Sequence, residues 1–183
     1  MTRRNVPRFL CLEGLDGVGK TKIASLLASK LSYRYYQSPG GTFAKARSIV
    51  DDGDLDPLTR FFFFRAASQY DSNRISEMLV SSGVVCDRYV FSTFAYHTAM
   101  DNRIRTMCDL AGLKLPDRTF LLVTREDVRL KRLRRRRRIT KVQIDLVTQR
   151  KIDRIYRQFD FDVIDTSDTS VEETTDHILS HFS

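Results

Sequence analysis

A chain of 183 residues, 42% hydrophobic and 10% aromatic, can fill one core of ordinary domain size, and its 30% charged residues beside that apolar content exclude disorder. No apolar run approaches the roughly 20 residues of a membrane span, and the basic start Met1-Thr2-Arg3-Arg4 lacks the apolar stretch of a secretory signal. Cys11, Cys86 and Cys108 are scattered, without metal or disulfide spacing, so free thiols in a cytoplasmic protein are expected. The net charge of +8 is local. Eight cations lie between Arg129 and Arg138, including the run Arg134-Arg135-Arg136-Arg137-Arg138. Such a cluster binds polyanions, whether nucleic acid, import machinery or a small polyphosphate, and composition does not choose among them.

In chain order, the apolar run Arg8–Leu12 predicts a buried strand, and Lys20–Leu31, with Ile23, Leu26, Leu27 and Leu31 at helical spacing, a helix. Arg34–Tyr36 predicts a second strand, closed by the breaker Pro39-Gly40-Gly41. Asp56-Pro57 opens a helical segment to Ser82, Gly83 ends it, and Val84-Val85-Cys86 is another strand. Helices are predicted over Phe91–Met100 and Ile104–Leu110, a strand over Thr119–Val123, and helices over Glu126–Arg138 and Asp145–Phe159. Val163-Ile164 is a last strand and Val171–Leu179 a last helix. The alternation predicts an α/β fold: one domain over residues 1–183, with about five parallel strands and helices on both faces.

Gly14-Leu15-Asp16-Gly17-Val18-Gly19-Lys20-Thr21 fits G-x-x-x-x-G-K-[ST], between a strand and a helix as the mechanism requires. Glycines let backbone N–H groups wrap phosphate oxygens at a helix N-terminus. Lys20 then reaches the β- and γ-phosphates of a nucleoside triphosphate, and the Thr21 hydroxyl is suited to Mg²⁺. Asp87-Arg88-Tyr89 follows the strand Val84-Val85-Cys86, at the carboxyl end where open sheets bind ligands. Asp87 can orient metal-bound water there and Arg88 clamp a phosphate; an Asp merely capping the next helix would look the same.

The motifs Glu13 to Thr21, Pro39-Gly40-Gly41-Thr42, and Asp87-Arg88-Tyr89 followed by Ser92 stand in the order and spacing of thymidylate kinases, and the chain resembles that family from Phe9 to Asp165. The resemblance implies a P-loop NTPase fold with a basic lid near residues 125–145, transfer of the ATP γ-phosphoryl to dTMP with Mg²⁺, and a homodimer. It places Phe61 on the thymine ring, Arg65 and Arg88 on the substrate phosphate, and Asp16 near the sugar 3′-hydroxyl and metal. Ser92 and Thr93 fall where small polar residues contact the base, and Tyr96 where a tyrosine crowds the sugar 2′ position. The other three phenylalanines of Phe61-Phe62-Phe63-Phe64 then read as core. The loop interior Leu15-Asp16-Gly17-Val18 carries no cation, and relatives of that kind place a catalytic arginine in the lid; Arg134, Arg136 and Arg138 are the candidates.

Two departures bear on the acceptor. Tyr36-Gln37-Ser38 stands where the bacterial form of the family has Thr-Arg-Glu, so an arginine for substrate phosphate is absent, with Arg47 on the following helix a candidate substitute. Ala67 and Ser68 occupy the places of a base-contacting glutamine, and Gln69 comes one step late. Small nucleotides are therefore the expected partners, with neither a membrane nor a nucleic acid. The alternatives are a kinase of the same fold acting on another nucleotide or a deoxynucleoside, and a P-loop module gripping nucleic acid through its arginines.

Overall fold

The computed structural model describes residues 7–107, 109–135, 143 and 145–182. Five parallel strands form one sheet in the order β2-β3-β1-β4-β5: β1 (Phe9–Glu13), β2 (Arg34–Gln37), β3 (Val84–Asp87), β4 (Arg118–Val123) and β5 (Asp162–Asp165). Seven α-helices are present among the described residues: α1 (Lys20–Leu31), α2 (Gly41–Asp52), α3 (Pro57–Ser81), α4 (Val90–Met100), α5 (Glu126–Arg134), α6 (Leu146–Tyr156) and α7 (Val171–Ser180). None is long and apolar enough to cross a membrane.

The central strand β1 is buried along its whole length, so its side chains serve two cores by simple alternation. Phe9 and Cys11 face one way, with Cys86 and Leu121, against Ile75 of α3, Val90 and Ala95 of α4, and Ile152 and Tyr156 of α6. Leu10 and Leu12 face the other, with Phe120 and Leu122, against Ile23 and Leu27 of α1 and Ile178 of α7. Helix starts follow local chemistry. The Asp56 carboxylate accepts the amides of Leu58 and Thr59 ahead of Pro57 in α3, and Ser170 and Glu173 form a reciprocal capping box on α7.

Three expectations change. Helix α2, which the periodicity did not delimit and which entered only as the helix carrying Arg47, fills the stretch between the Pro39-Gly40-Gly41 breaker and Asp56. Ile104–Leu110 is not an α-helix: a 3₁₀ turn over Asn102–Thr106, started by the Asp101 carboxylate on the Arg103 amide, buries Ile104 while Met107 is exposed. Within the turn Ile104 is the one buried residue, so no apolar face sustains an α-helix there. The helix predicted over Glu126–Arg138 ends at Arg134 with Arg135 as its C-cap, and residues 136–138 lie outside the described residues.

His97 of α4 is buried, its ring against Phe61 and Phe64, and its Nδ1–H donates to the Thr93 carbonyl at 2.7 Å. Burial lowers its pKa to about 4, with the Thr93 bond opposing. Because the unfolded chain binds this proton more readily, its contribution is complete above pH 6.5 and is lost as pH falls from 6.5 towards 4. Over that window the wild type should lose of order 3 kcal/mol more stability than His97→Gln in paired denaturant titrations. Parallel curves for the two proteins would contradict this.

Candidate active site

The phosphate loop runs from the end of β1 into α1. Gly14 has φ +134°, and a Cβ there would lie 2.3 Å from the Leu122 carbonyl oxygen, so only glycine lets the loop cross β4. Gly19 precedes α1 with no side-chain cap and no acidic residue follows in the first turn, leaving the helix N-terminus open to an anion. The Lys20 ammonium curls over the loop and donates to the Gly14 and Leu15 carbonyls at 2.9 and 2.7 Å. Burial, then the Arg88 charge, lowers its pKa to about 7, while Asp16, Asp87 and Glu13 pull the other way. An arriving triphosphate would reinforce the cation.

Asp87 does not cap α4, whose N-cap is Tyr89 with no side-chain bond. Its Oδ2 accepts the Thr21 hydroxyl at 2.6 Å and the Tyr35 hydroxyl at 3.4 Å, while its Oδ1 is buried without a partner. A hydroxyl beside a carboxylate with an orphaned oxygen suits Mg²⁺, which keeps most of its ligands as water and substrate phosphate. Accordingly, no group of three or more His, Cys, Asp or Glu that could hold a metal ion occurs among the described residues. The third expected metal residue, Asp16, lines one cavity with Thr21 and Asp87, and accepts Arg88 Nη2 at 2.9 Å and the Tyr96 hydroxyl at 3.1 Å.

Arg88 sits at φ +67°, a strained conformation for a side chain with a Cβ. Its guanidinium reaches the Gly14 carbonyl at 3.1 Å, Ser92 Oγ at 2.9 Å and the Tyr96 hydroxyl at 3.2 Å, and it stacks over the Tyr96 ring. The turn is held by Glu13, which the sequence showed only as the first residue of the motif Glu13 to Thr21. Its carboxylate accepts the amides of Tyr89 and Ser92 at 2.9 and 3.1 Å, the Ser92 hydroxyl at 2.6 Å and the Tyr156 hydroxyl at 3.1 Å. Burial raises its pKa, and the Ser92 bond and the Arg88 charge oppose the rise.

A cavity of about 770 Å³ gathers Asp16 to Ile23, Asp87 and Arg88 with Gln37, Arg47, Arg132, Arg135 and Gln143, and with Thr166 to one side. Arg132 donates to Thr166 Oγ1 and its carbonyl at 3.1 and 2.8 Å, and Thr166 Oγ1 donates to the Val18 carbonyl at 2.8 Å. Arg129 is buried with its Cγ behind Gly17, donating to the Gln149 amide oxygen at 3.2 Å. Of the expected lid arginines, Arg134 is exposed and does not line the cavity, and Arg136 and Arg138 lie outside the described residues. Among the described residues, Arg132 and Arg135 are the lid cations that line the cavity.

The acceptor side differs most from expectation. Phe61 is buried in the core beside His97, whereas Phe62 is 53% exposed and Phe64 half-buried, with the Arg47 guanidinium over its ring at 5.9 Å. Arg65 is half-buried and lines no part of the cavity. Ser68 and Thr93 are both buried, their hydroxyls 3.4 Å apart, and Gln69 turns away to Asn73.

A family model described as Thymidylate kinase matches residues 12–178. The chain belongs to the thymidylate kinase family. A probable thymidylate kinase of Methanocaldococcus jannaschii is 31% identical over 178 residues, 94% of each chain, and a thymidylate kinase of Neorickettsia sennetsu is 35% identical over 63% of this chain and 65% of its own. Among solved structures, a thymidylate kinase of Candida albicans superposes with TM-score 0.78 at 20% identity, over 96% of this chain and 91% of that one. One from Ehrlichia chaffeensis gives 0.70 at 23%, over 96% and 98%. Membership makes this P-loop chain an ATP-dependent phosphotransferase acting on nucleotides.

Proposed function

We propose that the chain transfers the γ-phosphoryl group of ATP to dTMP, giving dTDP and ADP, in one domain and as a homodimer in the cytoplasm. The observation that carries the reading is the convergence of Lys20, Thr21, Asp87 and Arg88 on one cavity at the carboxyl ends of β1 and β3. The open N-terminus of α1 and the loop amides bind the ATP phosphates, and Lys20 stays charged against the β- and γ-oxygens. Thr21 and Asp87 would hold Mg²⁺, which when bound neutralises phosphate charge. Arg88 exchanges its bonds to Asp16 and Tyr96 for the acceptor phosphate, and Arg47 supplies a second cation in place of the arginine that Gln37 replaces. Phe64, not Phe61, offers a ring for the thymine, since Phe61 is committed to the core. Tyr96, bonded to Asp16 and Arg88, meets the sugar, while Ser92 holds Arg88 and the buried Thr93 packs on Ser68 behind the site.

Turnover of ATP with Mg²⁺ against dTMP, dUMP, dCMP, thymidine and an oligonucleotide tests the acceptor. The expected result is highest kcat/KM for dTMP, lost in a folded Lys20→Ala variant; preference for thymidine or a nucleic acid would overturn the proposal.

The lid reading makes a separate demand. Arg135 and Arg132 line the cavity and Arg134 does not, so Arg135→Ala should lower kcat by about 10²-fold or more, as for a transition-state arginine. Arg132→Ala should act through a loosened Val18–Thr166 edge, raising KM for ATP, and Arg134→Ala should change neither appreciably. A dominant Arg134 effect would reverse the assignment.

A further inference from the structure

The turn between β2 and α2 rests on a buried carboxylate. Asp71 of α3 is fully buried and accepts the Tyr36 hydroxyl at 2.6 Å, the Ser38 hydroxyl at 2.6 Å and the Gly40 amide at 3.0 Å. All three donors are neutral and all belong to one five-residue stretch. Burial raises the Asp71 pKa while these three bonds hold it down, as expected where a carboxylate is kept for the hydrogen bonds it accepts.

The clamped stretch has a fixed partner on its other side. Gln37 pairs with Asp87 in the β2–β3 ladder, and the Ser38 amide donates to the Asp87 carbonyl at 3.1 Å. Beyond it the chain is tight against two rings: a Cβ on Gly40 would lie 2.2 Å from the Tyr36 hydroxyl, and one on Gly41, at φ +52°, 2.3 Å from the Tyr70 hydroxyl. Helix α2 starts here without a side-chain cap and carries Arg47 to the cavity, where Asp51 accepts its Nε at 3.0 Å. The path from Asp87 through the turn to Arg47 is therefore set by where Asp71 holds Ser38 and Gly40.

We infer that Asp71 is a positioning residue for the acceptor nucleotide: by clamping the Ser38–Gly40 turn it sets the placement of Gln37 and Arg47 across the cavity from Arg88. The inference rests on the proposed acceptor role of Arg47 and Arg88. The donor half of the site, built on the phosphate loop and Thr166, shares none of the three bonds.

Steady-state kinetics separate the two halves. Asp71→Asn keeps the shape but turns one acceptor oxygen into an N–H₂ donor, leaving one of its partners without an acceptor. KM for dTMP should rise about tenfold, the effect of one lost hydrogen bond to a charged group, while kcat and KM for ATP stay within about twofold. Tyr36→Phe and Ser38→Ala leave the carboxylate in place and should shift KM for dTMP the same way by less, so the inference remains testable if Asp71→Asn does not fold. An unchanged KM for dTMP in folded variants, or equal rises in both KM values, would overturn it. Wild-type turnover serves as the control on the underlying reading: if another acceptor is preferred, that reading fails, and the same variants measured with that acceptor still decide the role of Asp71.

Discussion

The Glu13 carboxylate is the interaction on which the site depends. It is the last residue of the central strand, and no part of it reaches solvent. Such burial is costly unless the oxygens are well supplied with donors. Two amides and a hydroxyl from the first turn of α4, with a tyrosine hydroxyl from α6, supply them. Strand, turn and two helices are thereby fixed to one pair of oxygens. The strained Arg88 backbone, costing of order 1–3 kcal/mol, is tolerable because the residues on either side of it are held: Asp87 in β3 and Tyr89 by Glu13.

The charges of the cavity follow from this frame. Arg88 extends from the clamped turn to the phosphate loop and meets Asp16 and Tyr96, while Lys20 is held by the Gly14 and Leu15 carbonyls with its pKa lowered to about 7. The neutral and acidic groups that engage these two cations, Gly14, Leu15, Asp16 and Tyr96, are the ones a nucleotide would displace.

Much of this was legible beforehand because the signals are local. Strand β1 is a continuous apolar run, Pro57 follows a capping Asp56, and the loop from Gly14 to Thr21 is a contiguous motif. What escaped depends on distant partners or on ambiguous pattern. Four adjacent phenylalanines have no periodicity, so only packing against His97 shows that Phe61 is the buried ring and Phe64 the one beside Arg47. Glu13 and Asp71 find partners up to 143 and 35 residues away, and a lone carboxylate at a strand end or in a helix carries no mark of that in sequence. A run of like arginines has no periodicity to mark a working member, and among the described residues only the docking of α5 on the phosphate loop sets Arg135, with Arg132 before the run, in the cavity and leaves Arg134 out of it.

The most direct test of the Glu13 frame is amide hydrogen exchange at Tyr89 and Ser92 in the wild type and in Glu13→Gln. The carboxamide keeps the volume but retains only one acceptor oxygen for four donors. Exchange at both amides should speed up by about tenfold or more, with a parallel loss of kcat as Arg88 loses its fixed place, while amides of α7 on the opposite face keep their protection. Unchanged exchange at Tyr89 and Ser92 in a folded Glu13→Gln protein of normal activity would contradict the account.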